Sequence, residues 1–394
     1  MTRITTAVFL SIILLFVTTP AVLAKEDETS KIPLAKEVPS AILIEQSTGT
    51  VIFDKEAHEQ LPPASMTKIM TLLLIMEALD EDIIHLDEMV RISARASSMG
   101  GSQVFLAEGE EMSVEDLVKA IAIASGNDAS VALAERIAGS EEQFVEQMNK
   151  KVESLGLTNT HFQNASGLPA ENQYSTAYDM AMISKELLTY ETITDYTSIY
   201  EDYLRKGEKD EFWLVNTNKL VRFYPGADGL KTGYTSEAKY CLSATANRDN
   251  MRVIAVVMGA DSVKKRNQSI SEMFDYAYGQ FATTTLFEKG EPVQTLNVLH
   301  AEKDDIDIVT SEAVRTLHEK GIAEEEYDIT ISMEESFSLP IMKGETIGTM
   351  HVKKDGETIR TSPLTVPEDV DKATYFTLLK RSWKHIGKWN NSSK

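Results

Sequence analysis

The chain has 394 residues, of which 42% are hydrophobic, and this length allows two or three domains with a substantial core. It carries 61 acidic and 39 basic residues, a formal net charge of −22, and such a surface argues against nucleic acid as a partner. Cys241 is the single cysteine and cannot form an internal disulfide. The seven scattered histidines show no metal-ligand spacing, so we expect neither a metal nor another cofactor.

Residues 1–24 have the pattern of a secretory signal. Arg3 precedes the apolar run Ala7–Val17, and Val22-Leu23-Ala24 forms a small-residue cleavage site. The run is short for a membrane span, although an uncleaved N-terminal anchor is the alternative. We therefore expect a mature protein that works outside the cytoplasm and begins with a loose polar leader over 25–35.

The first predicted folded element is a hairpin, with strands over Ala41–Glu45 and Thr50–Asp54. A mostly helical stretch then runs to about residue 190. Its first helix is predicted from the apolar run Ile69–Met76, which follows two prolines and places Ser65 at the helix N-terminus. A second helix is capped by Ser113 and runs into residues 125–127.

The next predicted helix is Ala129–Ala138, which stops at Gly139. Strands are predicted over Lys239–Ala246 and Arg252–Met258, on either side of a hairpin turn. With the turn centred between residues 248 and 249, extrapolating the pairing brings Lys231 opposite the neighbourhood of Arg266. Strands at both ends of 36–285, with helices between, predict an α/β (α+β) domain whose antiparallel sheet is covered by helices.

The remainder of the chain changes in pattern. Residues 288–370 show short alternating runs that predict a separate small all-β, sandwich-like domain. Residues 372–390 form an amphipathic pattern, with Phe376 and Trp383 on the apolar face and Lys380 on a flank. A basic helix with tryptophan is typical of one that lies in a membrane interface. The alternative is a terminal helix docked on the acidic surface of the protein itself.

Three short motifs occur in order and together carry the chemistry. The pattern Ser-x-x-Lys is unspecific by itself, because it recurs at Ser236 and Ser262, but those copies lack the buried helix that follows Ser65. The set supplies a hydroxyl nucleophile, a lysine one turn away, a second hydroxyl with an amide, and a second lysine on a strand. The motifs are Ser65-Met66-Thr67-Lys68, Ser125-Gly126-Asn127 and Lys231-Thr232-Gly233.

A serine hydroxyl needs a base within hydrogen-bond reach before it can attack an amide. Lys68 is the candidate, because a buried lysine beside a second cation, Lys231, loses its charge more readily. Ser125 is predicted to relay a proton to the leaving amine. Asn127 is predicted to hold the peptide of the substrate and to orient Lys68.

The reaction also needs an oxyanion hole, for which the backbone N–H groups of Ser65 and Tyr234 are the candidates. A free carboxylate on the substrate would bind beside the strand, at Lys231, Thr232 and Arg266. A solvated surface arginine is the alternative for Arg266. Gly233 allows its backbone to pack closely.

The trio of motifs is typical of β-lactamases and penicillin-binding proteins. Together with Ala124–Ala129, Asp228–Thr235, Ala255–Gly259 and Leu155–Phe162, it resembles the low-molecular-mass penicillin-binding proteins that are serine-type D-Ala-D-Ala carboxypeptidases. The resemblance covers about residues 36–372 and the tail, and is greatest to members from spore-forming Gram-positive bacteria. Tyr234 stands where some relatives have histidine, and Lys239 where glycine is frequent.

The resemblance implies a catalytic domain of the β-lactamase and penicillin-binding type. Its substrate would be the pentapeptide stem of peptidoglycan, trimmed by one terminal D-alanine, and β-lactams would acylate Ser65. The β domain would hold the catalytic domain away from the membrane. The C-terminal helix would anchor the enzyme peripherally on the outer face of the cytoplasmic membrane.

Three alternatives remain open at this point. A class A-type β-lactamase would need a carboxylate-held water, but Gly126 stands where that class has aspartate, and no Glu-x-x-x-Asn segment follows. A binding or sensor protein without turnover would be marked by loss of Ser65 or Lys68, which are both present. An endopeptidase that acts on cross-links could use the same machinery.

Overall fold

The computed structural model describes residues 33–298, 300–321, 326–334 and 338–381. The predicted signal and most of the predicted leader therefore lie outside the described residues, as does the tail after Arg381. Up to residue 280 the elements are β1 (Ser40–Glu45), β2 (Val51–Lys55), a 3₁₀ turn (Ala64–Thr67), α1 (Lys68–Asp80), β3 (Met89–Arg91), α2 (Ala94–Ser97), β4 (Glu111–Ser113), α3 (Val114–Ala124), α4 (Asn127–Ala138), α5 (Glu141–Ser154), α6 (Ala177–Leu187), α7 (Ile193–Thr197), β5 (Glu201–Leu204), β6 (Phe212–Val215), α8 (Leu220–Phe223), β7 (Ala227–Thr235), β8 (Lys239–Arg248), β9 (Met251–Ala260) and α9 (Val263–Gln280).

The central sheet has five antiparallel strands in the order β2-β1-β9-β8-β7. Successive side chains of a strand point to opposite faces, and in β1 Ile42 and Ile44 join one buried cluster while Ala41 and Leu43 join another. The first cluster contains the apolar side chains of α1, and the second contains those of α9. The prediction of an antiparallel sheet covered by helices is confirmed, since helices bury both faces.

Helix α1 is buried around its whole circumference, which explains its uninterrupted apolar sequence. The predicted cap of α3 is confirmed, because the Ser113 hydroxyl accepts a 3.1 Å hydrogen bond from the Asp116 N–H. Helix α4 ends at Gly139 as predicted, where φ is +85°. It begins at Asn127, two residues earlier than predicted.

The turn of the β8–β9 hairpin lies one residue later than predicted, which shifts the pairing of the two strands by two residues. Arg248 pairs with Met251, so the turn is centred between Asp249 and Asn250, which both have positive φ. Lys231 lies on β7 and pairs with Ser243 of β8, not with an extension of β9. The predicted route from Lys231 to Arg266 is therefore wrong, because a strand order is decided by packing that the hairpin turn does not encode.

The second part of the chain is all β and follows α9 without a break. Its strands are β10 (Phe281–Phe287), β11 (Pro292–Asn297), β12 (Asp305–Thr310), β13 (Val314–Glu319), β14 (Asp328–Met333), β15 (Gly348–Lys354) and β16 (Glu357–Thr365). They form a five-stranded sheet in the order β11-β12-β16-β15-β14 and a two-stranded sheet of β10 and β13. A separate apolar cluster fills this region. Arg360 pairs with Glu312 and donates to the Ser47 carbonyl of the first hairpin.

Among the described residues we find no helix whose length and apolarity would allow it to cross a membrane. The predicted tail helix begins at residue 375. Its residues Trp383, Ile386 and Trp389 lie outside the described part of the chain.

Candidate active site

Ser65 lies in the 3₁₀ turn Ala64–Thr67, immediately ahead of α1. The sequence predicts Ser65 at the N-terminus of the α-helix itself, whereas α1 begins at Lys68. The residue before Ser65, Ala64, has a positive φ of 47°, which turns the chain sharply into the helix. Lys68 is the first residue of α1, and its Nζ lies 3.3 Å from Ser65 Oγ. The predicted pairing of hydroxyl and amine is thus present in the structure.

Two glycines allow backbone to pack directly against the Ser65 turn. A Cβ on Gly233 would lie 2.8 Å from the Pro63 carbonyl oxygen and 3.2 Å from the Met66 nitrogen. A Cβ on Gly167 would lie 1.9 Å from the Ala64 carbonyl oxygen, and Gly167 has a φ of +81°. The backbone of β7 at Gly233 therefore packs closely against the Ser65 turn, as predicted, and so does the backbone at Gly167.

Lys68 is fully buried and sits among acceptors. Its Nζ donates to Asn127 Oδ1 at 2.6 Å and to the Ser166 carbonyl oxygen at 2.5 Å. Burial lowers the pKa of Lys68 well below its ordinary value, and the charge of Lys231 lowers that pKa further. The opposing charge of Asp128 is a smaller influence. The structure therefore favours an uncharged amine beside Ser65.

Lys231 is also buried, at 1% exposure, and donates to the Thr232 carbonyl oxygen at 3.0 Å. Burial first, and then the charge of Arg266, lower the pKa of Lys231 to about 7. Burial lowers the pKa of Arg266 to about 10. Two neighbouring cations without a carboxylate between them form a site that attracts an anion.

Arg266 lies in the first turn of α9 and is 4% exposed, so the alternative of a solvated surface arginine is wrong. Its side chain reaches the β8 carbonyl of Cys241 at 3.5 Å, and Cys241 pairs with Gly233 of β7. The guanidinium thus approaches the third motif across β8 and not by the predicted hairpin register.

Ser125 and Asn127 occupy the connection between α3 and α4, as predicted. Ser125 adopts a left-handed conformation with φ of 64°, and its buried hydroxyl has no hydrogen-bond partner within the described part of the chain. Asn127 Nδ2 donates to the Gly100 carbonyl oxygen at 2.7 Å. This bond leaves Asn127 Oδ1 directed at Lys68. The unpartnered hydroxyl is available to a substrate.

Tyr234 follows Gly233 on β7, the edge strand of the sheet. Tyr234 is 56% exposed, and its ring packs on that of Tyr240 with centroids 4.5 Å apart. The outer edge of β7 has no strand partner among the described residues, so its backbone groups can bind an extended peptide.

The loop that supplies the Ser166 carbonyl was not predicted from the sequence to lie in the site. Asn164 Oδ1 accepts hydrogen bonds from the N–H groups of Ser166 and Gly167, at 3.2 and 2.6 Å. Thr71 of α1 donates to the Ala165 carbonyl oxygen at 2.7 Å, which ties this loop to α1. The Asn-x-x-Gly pattern indicates a turn, but nothing in it indicates proximity to Lys68.

Thr217 was also missed. Its hydroxyl accepts a 2.7 Å hydrogen bond from Thr232 Oγ1, and its N–H donates to the Ile123 carbonyl oxygen near the end of α3. The flanking residues Asn216 and Asn218 are buried and bind backbone carbonyls of the surrounding segments. Thr217 therefore joins the second motif to the third.

Over the residues that the structure describes, no group of three or more His, Cys, Asp or Glu side chains is arranged to hold a metal ion.

Comparisons with known proteins agree with this geometry. The family model for D-alanyl-D-alanine carboxypeptidases matches residues 25–262, and that for the C-terminal domain of penicillin-binding protein 5 matches residues 281–372. D-alanyl-D-alanine carboxypeptidase DacF of Bacillus subtilis is 51% identical over 377 residues, 96% of each chain. The structure of penicillin-binding protein 5 from Haemophilus influenzae is similar with a TM-score of 0.67 at 31% identity, covering 85% of this chain and 98% of its own. The structure of penicillin-binding protein D2 from Listeria monocytogenes, in an ampicillin-bound form, is similar with a TM-score of 0.56 at 30% identity. The match covers 61% of this chain and 98% of the Listeria chain.

Proposed function

This chain belongs to the D-alanyl-D-alanine carboxypeptidase family, and on that basis we propose how the residues of its site carry out the reaction. It is a serine-type D-Ala-D-Ala carboxypeptidase that acts on peptidoglycan peptides and binds β-lactams. The predicted family is confirmed, and so is the predicted similarity to members from spore-forming Gram-positive bacteria. The comparisons do not favour the β-lactamase, sensor or endopeptidase alternatives.

The hydrogen bonds of Lys68 carry the proposal for the base. A neutral amine has two N–H groups and one lone pair, and Asn127 Oδ1 and the Ser166 carbonyl can accept both N–H groups. The lone pair is then left for Ser65 Oγ, the remaining neighbour at 3.3 Å. Lys68 accepts the hydroxyl proton as Ser65 Oγ attacks the carbonyl of the penultimate D-Ala.

The negative charge that develops on the carbonyl oxygen is held by the N–H groups of Ser65 and Tyr234. As the tetrahedral intermediate collapses, the C–N bond breaks and the leaving amine takes a proton from Ser125 Oγ, which Lys68 replenishes. The acyl group remains as an ester on Ser65. A water then attacks the ester and gives one proton to Lys68. As the C–O bond to Ser65 breaks, Lys68 passes that proton to Ser65 Oγ, and the peptide leaves as a carboxylic acid that ionises to solvent.

The terminal carboxylate of the substrate binds at Lys231, Thr232 and Arg266. The support is electrostatic, since the two buried cations lack a carboxylate partner among the described residues and the charge of Arg266 lowers the pKa of Lys231. Asn127 holds the substrate peptide as well as Lys68, and Gly233 keeps β7 against the Ser65 turn.

Replacement of Ser65 by alanine tests the serine mechanism, and Ser236→Ala is a matched control because it alters the exposed Ser-x-x-Lys copy. Ser65→Ala is expected to abolish both D-alanine release from a D-Ala-D-Ala peptide and covalent labelling by a fluorescent penicillin. Ser236→Ala is expected to retain both. D-alanine release by folded Ser65→Ala protein would falsify the serine mechanism.

The enzyme acts outside the cytoplasm, and we propose that it is held on the outer face of the cytoplasmic membrane by the helix predicted over 372–390. Tyr375, Phe376 and Leu379 are 74%, 79% and 42% exposed, so the described protein does not cover the apolar face of this segment. Arg381 instead binds the β domain, through the Ala301 carbonyl at 2.7 Å and Asp304 at 2.7 Å. We propose the β domain over 288–370 as a spacer.

Truncation after Arg381, combined with Tyr375→Ser, Phe376→Ser and Leu379→Ser, tests the anchor while it keeps the Arg381 contacts. This variant is expected to remain in the supernatant when the full chain sediments with anionic vesicles, with D-alanine release unchanged. Sedimentation of the variant would exclude the anchor without affecting the assigned reaction.

A further inference from the structure

A groove of about 600 Å³ opens directly beside the nucleophile. One wall is the segment 60–64 that leads into the Ser65 turn, and the other is the loop 167–174. Ala64 and Gly167, whose backbones touch next to Ser65, form its inner end. The groove is therefore continuous with the catalytic site.

The groove lies on one side of Ser65 only. None of Ser125, Lys231, Thr232 or Arg266 lines it, whereas Thr235 and Glu237, which follow Tyr234 along the chain, do. A peptide with its scissile carbonyl at Tyr234 and its terminal carboxylate at Lys231 must continue past Thr235 toward the groove. The occupant is thus the part of the substrate that precedes the D-Ala-D-Ala unit.

The charge of the groove indicates which side chain it accepts. Glu171 and Glu237 are exposed lining residues, and within the described residues neither carboxylate has a hydrogen bond or an ion pair. No lysine or arginine lines the groove, so no basic side chain of the groove compensates the charge of these two carboxylates. Gln60 and Asn172 add neutral polar groups for a peptide backbone.

We propose that Glu171 and Glu237 make this groove a specificity subsite for a side chain that ends in an ammonium group, on the residue before D-Ala-D-Ala. The inference rests on the proposed function and goes further, because it assigns a charge preference to a part of the substrate that takes no part in the reaction. Both carboxylates are exposed, so the preference is moderate and depends on ionic strength.

The experiment compares two peptides, N-acetyl-Lys-D-Ala-D-Ala and its counterpart acetylated on the lysine Nζ, which have the same backbone and differ in charge. kcat/KM for D-alanine release is measured with the full chain at low and at high salt. The free amine is expected to be preferred about fivefold at low salt, and this preference is expected to fall toward unity at about 0.5 M salt.

The double variant Glu171→Gln/Glu237→Gln is expected to lose the preference while its activity on the acetylated peptide stays unchanged. Glu108→Gln removes an exposed carboxylate outside the groove and is expected to keep the preference. Equal rates on both peptides with the unmodified protein, or equal losses on both in the double variant, would overturn the subsite. Release from neither peptide would instead overturn the proposed reaction.

Discussion

The hydroxyl of Thr232 donates its hydrogen to the hydroxyl of Thr217, with the oxygens 2.7 Å apart. In this arrangement Thr232 presents only lone pairs to a substrate. Before it can donate to a carboxylate, its hydrogen must turn away from Thr217. Until then the bond to Thr217 holds the Thr232 side chain in the position from which it meets the carboxylate.

Thr217→Val keeps the shape of the side chain and removes this partner. KM for a D-Ala-D-Ala peptide is expected to rise about fivefold with little change in kcat, since the hydrogen bond that positions Thr232, worth about 1 kcal/mol, is lost. Thr217→Ser restores the hydroxyl and is expected to restore KM. Steady-state kinetics checks both, and an unchanged KM in the valine variant would show that the pair has no part in binding.

Arg266→Ala is expected to reduce kcat/KM about tenfold for peptides that end in a carboxylate and less than threefold for the corresponding amides. Its pH profile gives a second readout. Charged Lys231 exists below its pKa of about 7, so carboxylate binding in the unmodified enzyme declines as the pH rises through that value. Removal of the Arg266 charge raises the pKa of Lys231, so the decline is expected at higher pH. Equal losses on acids and amides would contradict the assigned role.

Lys231→Met is expected to inactivate the enzyme and to stabilise its fold. The folded-state pKa of Lys231 is about 7, below the unfolded value of about 10.4, so unfolding takes up a proton between these values. The cost of burying Lys231 is therefore complete below pH 7 and declines as the pH rises toward 10. Denaturant unfolding is expected to show a gain of about 2–4 kcal/mol at pH 6 and a smaller one at pH 9.

Lys264→Met, at an exposed position of α9, is the control for that experiment and is expected to change stability by less than about 0.5 kcal/mol. A gain in the Lys231 variant that did not depend on pH would indicate improved packing and not relief of a buried charge.

Gly233→Ala is expected to slow acylation by penicillin about a hundredfold, because displacement of a reacting group by about 1 Å has that effect. The new Cβ would lie 2.8 Å from the backbone oxygen of Pro63, which cannot rotate away. Gly279→Ala in α9 meets nothing within 4 Å and is expected to leave acylation unchanged and to add up to about 1 kcal/mol of stability. Stopped-flow labelling and thermal unfolding check the pair, and normal acylation in Gly233→Ala would show that the close approach is dispensable.

The local features of the fold were predictable because they depend on neighbouring residues. The apolar run of β1, the apolar run of α1, the Ser113 cap and the Gly139 stop all follow from rules that act within a few positions. The three motifs were recognisable for the same reason, since each spans three or four residues of characteristic chemistry. Their joint presence was enough to predict the family and the reaction.

Contacts between distant segments were not predictable, because strand order and side-chain packing decide them. The Ser166 carbonyl lies 98 positions from Lys68, and no local pattern in the loop indicates that it will meet that amine. Thr217 lies 15 positions before Thr232 and outside β7, and only the folded chain brings the two hydroxyls together. The same packing buries Arg266 and places its guanidinium beside β8, next to the third motif. The hairpin register alone predicted that Arg266 would lie directly opposite Lys231. Residue chemistry could be recognised locally, whereas the proton affinity of each amine depends on burial and on neighbouring charges, which exist only once the chain has folded.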